Sequence, residues 1–393
     1  KKMQKISRSN HIYIDNVGSK NLGAWLMLES ISDTLFEKYS YSRLGVVNPK
    51  GFSFHDNFSG KLIPGRNHNI QFLREQNLFF GKNPFTILAK HFLNKPTEIK
   101  RNQIPYISSN ECSTLLDAGG FWLGSPWITN SSFLESKIKM YSTIRARGGK
   151  VIFLPQAFGK LNPTDFIQFF KNVDLIYARD QVSLKNLQEV CEPDKTRIAP
   201  DFTQNLNPTK LNIAHSDFLI IPNSKIIQHQ QASFDELVDF YCALWHNLRR
   251  NYPEAKISFL NHAGSNDEMI ISAIADKTSA HCIQPVNPDE AKSYVKNSKI
   301  VFSARYHGII NALYTGTPCM AMGWSHKYNE LLNEFGLDGF IFEPKSDEIP
   351  RITQAFDHIM LNYSSYSELI NQRNKAIKQY SSAMWQEIFS TIE

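Results

Sequence analysis

The chain has 393 residues, 42% of them hydrophobic, with 27 Phe and 15 Tyr, which excludes a disordered chain and allows two domains of ordinary size, each with its own core. Its 43 basic against 37 acidic residues leave a formal charge of +6, too small and too scattered for a nucleic-acid-binding surface, and no nucleic-acid-binding motif occurs. The balance suits an anionic substrate or peripheral contact with an anionic membrane face.

Five isolated cysteines, Cys112, Cys191, Cys242, Cys282 and Cys319, form no C-x-x-C pair, so they read as reduced, buried thiols rather than a disulfide framework. The start Lys1–Asn10 is polar and no apolar run reaches transmembrane length; the expectation is a soluble cytoplasmic protein, resting at most on the inner face of a membrane.

In chain order, His11-Ile-Tyr-Ile14 reads as a strand, Asp15–Gly23 as a loop and Ala24–Phe36 as a helix with apolar Leu26, Leu28, Ile31 and Leu35. The loop holds Gly18 and Gly23 but is not G-x-G-x-x-G, so it predicts no dinucleotide site; Asn21 is its candidate wall of a cleft. Residues 37–110 carry Phe52, Phe54, Phe58, Phe72, Phe79, Phe80, Phe85 and Phe92 between Gly, Pro and Asn breaks. Short strands and helices are expected there, part of them an insertion, with the aromatics packing a core in preference to stacking on sugar rings.

Regular alternation resumes at Ser113–Gly124, a strand running into a glycine turn, with Asp117 at the strand's end and Gly119 and Gly120 able to let backbone approach a ligand. A helix at 133–147 leads to the strand Val151–Leu154 and the turn Pro155-Gln156-Ala-Phe-Gly159. A helix at 164–172, the strand Leu175–Ala178, the pair Arg179-Asp180, a helix at 181–190 and the short strand Arg197–Ala199 complete a first domain. This alternation predicts a parallel sheet with helices on both faces.

The polar stretch Phe202–Ser216 reads as the linker, dividing the chain at 1–207 and 208–393. A second series follows: the strand Phe218–Ile221 with Asn223 and Lys225 in its turn, a helix at 234–252, and the strand Lys256–Leu260 ending in Asn261-His262. Next come helices at 267–275 and 288–296 around the strand His281–Ile283. Ile300-Val-Phe302 then reads as a buried strand and Gly308–Tyr314 as a helix stopped by Gly316 and Pro318. A strand at 318–322, the loop to His326 and Lys327, a helix at 328–335 and helices at 352–362 and 366–390 end the chain, the last one expected to cross back to the first domain.

Between the strand at 300–302 and its helix sit Ser303, Arg305 and His307. In an open parallel sheet that turn is where ligands bind, and the helix N-terminus offers amide donors and a positive dipole end to an anion. An arginine fork and an imidazole there can hold and protonate an anionic substrate. Arg179 stands at a corresponding strand end in the first domain. No His, Cys and Asp cluster has metal-ligand spacing, and neither a P-loop nor G-x-S-x-G occurs.

In these stretches the chain resembles the polysaccharide pyruvyl transferases. The resemblance rests on Gly18-Ser-Lys-Asn-Leu-Gly23, on Ala118-Gly-Gly-Phe121, and on Leu154-Pro-Gln-Ala-Phe-Gly159 with Asp174–Asp180 and Pro200-Asp201. It continues in Ser303-Ala-Arg-Tyr-His-Gly308 with Gly316-Thr-Pro318 and Glu330–Gly336. The resemblance implies an α/β, GT-B-like fold of two Rossmann-like domains with parallel sheets and the active site in a cleft between them. It implies phosphoenolpyruvate as donor and a sugar, free or lipid-linked, as acceptor, the product being a pyruvate ketal in a polysaccharide or glycan. No metal or other cofactor is expected.

In that chemistry Arg305 and Arg179 would grip the donor's carboxylate and phosphate. His307 would be the general acid, and Asp117 would accept a proton from the attacking hydroxyl or stabilise the cationic centre. Ser303, Asn21, Gly120, Gln156, His262 and Lys327 are the remaining candidate substrate contacts. Two other classes compete. A nucleotide-sugar glycosyltransferase of the same fold would need an acidic residue for the donor ribose, and Glu330 is its candidate. A non-catalytic glycan-binding protein has no use for the Arg and His pair.

Overall fold

The computed structural model describes residues 12–17, 21–39, 44–47, 70–75, 106–107, 112–124, 131–206, 208, 212–230, 232–323 and 326–393. Gly18 and the phenylalanines at 52, 54, 58, 79, 80, 85 and 92 lie outside these residues. The chain forms two compact units, one of 1–19, 27–200 and 384–393, the other of 20–26 and 201–383.

The first unit holds β1 (Ile12–Asp15), β2 (Leu44–Val47), β3 (Ile70–Glu75), β4 (Tyr106–Ile107), β5 (Thr114–Asp117), β6 (Lys150–Gln156), β7 (Leu175–Ala178) and β8 (Thr196–Ile198). They lie in the order β4-β3-β2-β1-β5-β6-β7-β8, all neighbours parallel. β1 and β5 are buried at every position, as strands covered on both faces must be. Three of the strands, β2 to β4, come from the stretch expected to hold an insertion.

One face of this sheet packs Tyr13, Leu115, Phe153 and Ile176 against the helices Ser131–Ala146 and Pro163–Phe170. Met384–Glu393, the end of the helix Tyr363–Ile392, also belongs to this unit, where Glu387 accepts from Tyr177 Oη at 2.6 Å and Arg197 Nε at 3.0 Å.

The second unit takes up the chain at Asp201, ahead of the boundary expected after residue 207. Its strands β9 (Ser216–Ile221), β10 (Ile257–Leu260), β11 (His281–Ile283), β12 (Ser298–Ser303), β13 (Cys319–Met322) and β14 (Ile341–Phe342) lie in the order β11-β10-β9-β12-β13-β14, again all parallel. The period-2 alternation of β9 and β12 divides their side chains between two cores. Phe218, Ile220, Ile300 and Phe302 face the helices Phe234–Asn251 and Ile349–Leu361, while Leu219, Ile221 and Val301 face Tyr306–Thr315.

Strand order locates the ligand-binding crevice within each unit. In the first sheet the chain runs outward from β1 to β4 and returns to β5 on β1's other side; in the second it runs from β9 to β11 and returns to β12. Such a reversal leaves a gap between the turns beyond the strands' carboxyl ends. Asn16 and Asp117 through Gly120 stand at the first reversal, and Asn223 through Lys225 and Ser303 through Arg305 at the second. Among the described residues no helix is long and apolar enough to cross a membrane.

Candidate active site

At the second reversal, β12 ends in a turn that Ser303 fastens. Its Oγ accepts from the Arg305 amide at 3.0 Å and donates to the Arg305 carbonyl at 2.9 Å. A Cβ at Gly308 would stand 2.4 Å from that hydroxyl, so the helix can enter this tightly only with glycine there. Ser303 is fully buried, and its hydroxyl fastens the turn.

Arg305 is the N-cap residue of Tyr306–Thr315 and makes no side-chain cap bond. Its guanidinium is turned to Asp267, on the helix Gly264–Lys277 that follows β10: Nε donates to Oδ2 at 2.8 Å and Nη2 to Oδ1 at 2.5 Å. Asp267 Oδ1 also accepts from the Ser224 amide at 2.9 Å, in the turn after β9. One fully buried carboxylate therefore ties together the turns of three adjacent strands. Across the gap, Asn223 Nδ2 donates to the Ala304 carbonyl at 3.0 Å.

His307 sits in the first turn of Tyr306–Thr315. Its Nε2 is 3.6 Å from Asp201 Oδ2, and its ring packs so closely on Gly23 that a Cβ there would fall 2.3 Å from Nδ1. The Asn21–Gly23 segment is itself pinned, with Asn21 Oδ1 accepting from the Gly23 amide at 2.9 Å and the His262 carbonyl from the Leu22 amide at 3.1 Å. His262 is 1% exposed and neither ring nitrogen has a hydrogen-bond partner. Burial, then the charges of Arg305 and His307, push its imidazole down to about 3.

Beside this cluster opens a cavity of about 500 Å³. Asn21, Ser224, Lys225, Asn266 and Arg305 give it a polar wall, and Ile227, Phe234, Met269 and Ile270 an apolar one. Burial, and after it the Arg305 charge, lower the Lys225 ammonium from its ordinary value. The arrangement suits an anion: a fixed guanidinium, an ammonium that gains by meeting negative charge, and amide side chains to orient the ligand. Lys327, buried on the helix His326–Glu334, has its Nζ 5.5 Å from the Tyr306 ring centroid and 5.4 Å from that of Tyr328.

The first reversal is a network of buried polar groups. Asp117 accepts from Asn16 Nδ2 at 2.7 Å, the Gly119 amide and Trp122 Nε1 at 3.0 Å each, and Gln156 Nε2 at 3.2 Å. Burial and then the Asp15 carboxylate push the Asp117 carboxyl up to about 6, against the pull of Lys137, which is hydrogen-bonded to Asp15. With both oxygens occupied and no exposed surface, Asp117 braces the turn. Gly120 presents its carbonyl to Arg179 Nη2 at 3.1 Å and to the Ala157 amide at 3.0 Å. Gly120, Gln156 and Arg179 thus belong to one connected set.

The structure therefore gathers Asn21, His262, Ser303, Arg305 and His307 in the second unit and Asp117, Gly120, Gln156 and Arg179 in the first. Sequence reasoning missed Asp267 and Asn266, passed over Lys225 as a turn residue, and overlooked Asn16, whose φ of 61° puts it in the left-handed region that Asn tolerates. Among the described residues no group of three or more His, Cys, Asp or Glu side chains could hold a metal ion.

The family model for polysaccharide pyruvyl transferase matches residues 21–326. No curated protein matches the sequence. Among solved structures, a putative UDP-N-acetylglucosamine 2-epimerase from Listeria monocytogenes has a TM-score of 0.60 at 10% identity over 98% of both chains. UDP-GlcNAc 2-epimerase from Neisseria meningitidis, bound to UDP-GlcNAc, has 0.55 at 11% over 96% of this chain and 100% of its own. TarM has 0.53 at 10% over 98% and 99%. At such identities the likeness is one of fold, and it is GT-B-like, as expected from the sequence.

Proposed function

The chain belongs to the polysaccharide pyruvyl transferase family, and from that premise we propose that it transfers the pyruvyl group of phosphoenolpyruvate onto two hydroxyls of a sugar. The observation that carries the reading is Arg305, fixed by Asp267 on the wall of the cavity that also holds Lys225, with His307 in the adjoining helical turn. A small donor bearing both carboxylate and phosphate needs two cationic contacts. Asp267 occupies Nε and Nη2 of Arg305, so the Nη1 edge meets one anionic group and Lys225 the other.

The chemistry then needs a proton. A sugar hydroxyl adds to C2 of the donor while C3 takes a proton from His307, giving a methyl group and a tetrahedral centre. The first hydroxyl's proton restores His307; the C2–O bond to phosphate then breaks, a second hydroxyl bonds to C2, and its proton leaves with the phosphate. The products are the ketal and inorganic phosphate. Release of phosphate from phosphoenolpyruvate, measured across β-galactosides and other hexosides, tests this. Acceptor-dependent release that Arg305→Ala and His307→Ala abolish is expected; release unaffected by both would overturn it.

A nucleotide-sugar donor is the second reading, favoured by the fold shared with TarM and the UDP-GlcNAc epimerases. Its candidate ribose contact, Glu330, lies half-buried inside the helix His326–Glu334. Thermal shifts decide between them, since a ligand at a hundred times its Kd stabilises by about 2.7 kcal/mol. Stabilisation by phosphoenolpyruvate and not by a nucleotide-sugar is expected.

A further inference from the structure

We propose that Asp201 is a positioning residue for His307, its carboxylate setting the orientation of the imidazole and stabilising the ring while it carries a proton. Asp201 caps the 3-10 helix Phe202–Asn205 through one oxygen: Oδ1 accepts from the Thr203 amide at 3.0 Å and from Thr203 Oγ1 at 2.6 Å. Those two bonds fix the plane of the carboxylate, and Oδ2 then stands 3.6 Å from His307 Nε2.

The backbone around it is held from two further elements. Tyr314, on the same helix as His307, donates to the Asp201 carbonyl at 2.7 Å. Lys292, buried on the helix Pro288–Lys296, donates to the carbonyls of Thr203 at 3.0 Å and Leu206 at 2.6 Å. A lone helix cap does not need that much scaffolding. Electrostatics gives the second argument. His307 lies in the first turn of its helix, at the positive end of the dipole. The Asp201 carboxylate, 3.6 Å from Nε2, places negative charge beside the ring. Besides Asp201, the titratable neighbours of the ring include Tyr306, whose ring meets it edge-on at 5.7 Å between centroids, and His262 and Arg305.

The catalytic part of this inference rests on the transferase reading; the pairing does not. Asp201→Asn keeps an oxygen for Thr203 and removes the charge. Its kcat for phosphate release from phosphoenolpyruvate is expected to fall at least about tenfold, with KM unchanged and the high-pH limb of the profile displaced to lower pH. In nuclear magnetic resonance of histidine-labelled protein, the His307 signal, identified by its loss in His307→Gln, is expected to titrate at lower pH in Asp201→Asn than in wild type. Coincident titrations would overturn the proposal. If Asp201→Asn does not fold, the wild-type Asp201 carboxyl signal decides: it must follow the His307 titration and lose that step in His307→Gln, and a flat signal in wild type would overturn the pairing. Absence of any turnover by wild type would defeat the transferase reading and leave these titrations decisive for the pairing.

Discussion

Asp267 grips Arg305 on two sides, Oδ2 taking Nε at 2.8 Å and Oδ1 taking Nη2 at 2.5 Å, with Asp267 fully buried and Arg305 8% exposed. Removing one partner of so enclosed a pair leaves an uncompensated charge, a loss of about 3–5 kcal/mol. Asp267→Asn is expected to lose stability on that scale in urea denaturation. It should also raise KM for phosphoenolpyruvate, because the guanidinium no longer has a fixed direction. Unchanged stability would mean that the pair does not hold the three turns together.

Gly23→Ala sets two effects against each other. Gly23 lies in the first turn of the helix Leu22–Lys38, where alanine gains about 1 kcal/mol by propensity. The new Cβ, however, would stand 2.3 Å from His307 Nδ1 and 2.6 Å from Cγ, so the ring must move. A shift of about 1 Å in a catalytic group can cost about a hundredfold in rate. The expected outcome is a kcat reduced on that scale with a melting temperature close to wild type. Unimpaired kcat would remove His307 from the reaction.

Why Arg305 and His307 were legible, and Asp267 was not, follows from range. The β-branched run at Ile300, the helix behind it and its stop at Gly316, whose φ is 79°, are local signals, so the turn and its residues could be read in place. Asp267 lies 38 residues earlier, on a helix where nothing in the spacing separates it from a solvated acid; tertiary packing alone assigns it. Asp117 illustrates the converse. Its place at a strand end was read correctly, but burial depends on Asn16, Trp122 and Gln156 converging from different turns. The strands β2, β4 and β14 are four residues or fewer and carry no clear alternation, and their neighbours in the sheet define them.

Asp117→Ala tests the bracing assignment. The substitution strands the donors of Asn16, Trp122, Gln156 and the Gly119 amide, and one unsatisfied buried group already costs about 1–3 kcal/mol. A loss above about 3 kcal/mol is expected, with a pH signature. The carboxyl is raised from its ordinary 3.8 to about 6, so folding favours its protonated form. That contribution is full below 3.8 and fades as pH rises through about 6. Wild type's margin over the variant should therefore narrow across that interval in chemical denaturation.

His262 predicts the opposite slope. Its imidazole is held down to about 3 from 6.5, so folding favours the neutral ring; the stability it permits is full above 6.5 and lost as pH falls toward 3. His262→Leu removes both the titration and two buried nitrogens without hydrogen-bond partners, so at pH 7 the variant should match or exceed wild type in stability. Below 6.5 the difference should grow in the variant's favour by about 1.4 kcal/mol per pH unit. A neutral, enclosed ring adds no charge to the anion site, so KM for phosphoenolpyruvate should rise far less than in Arg305→Ala. Parallel stability curves for variant and wild type between pH 7 and 5 would mean that His262 takes up its proton in the folded protein as readily as in the unfolded chain.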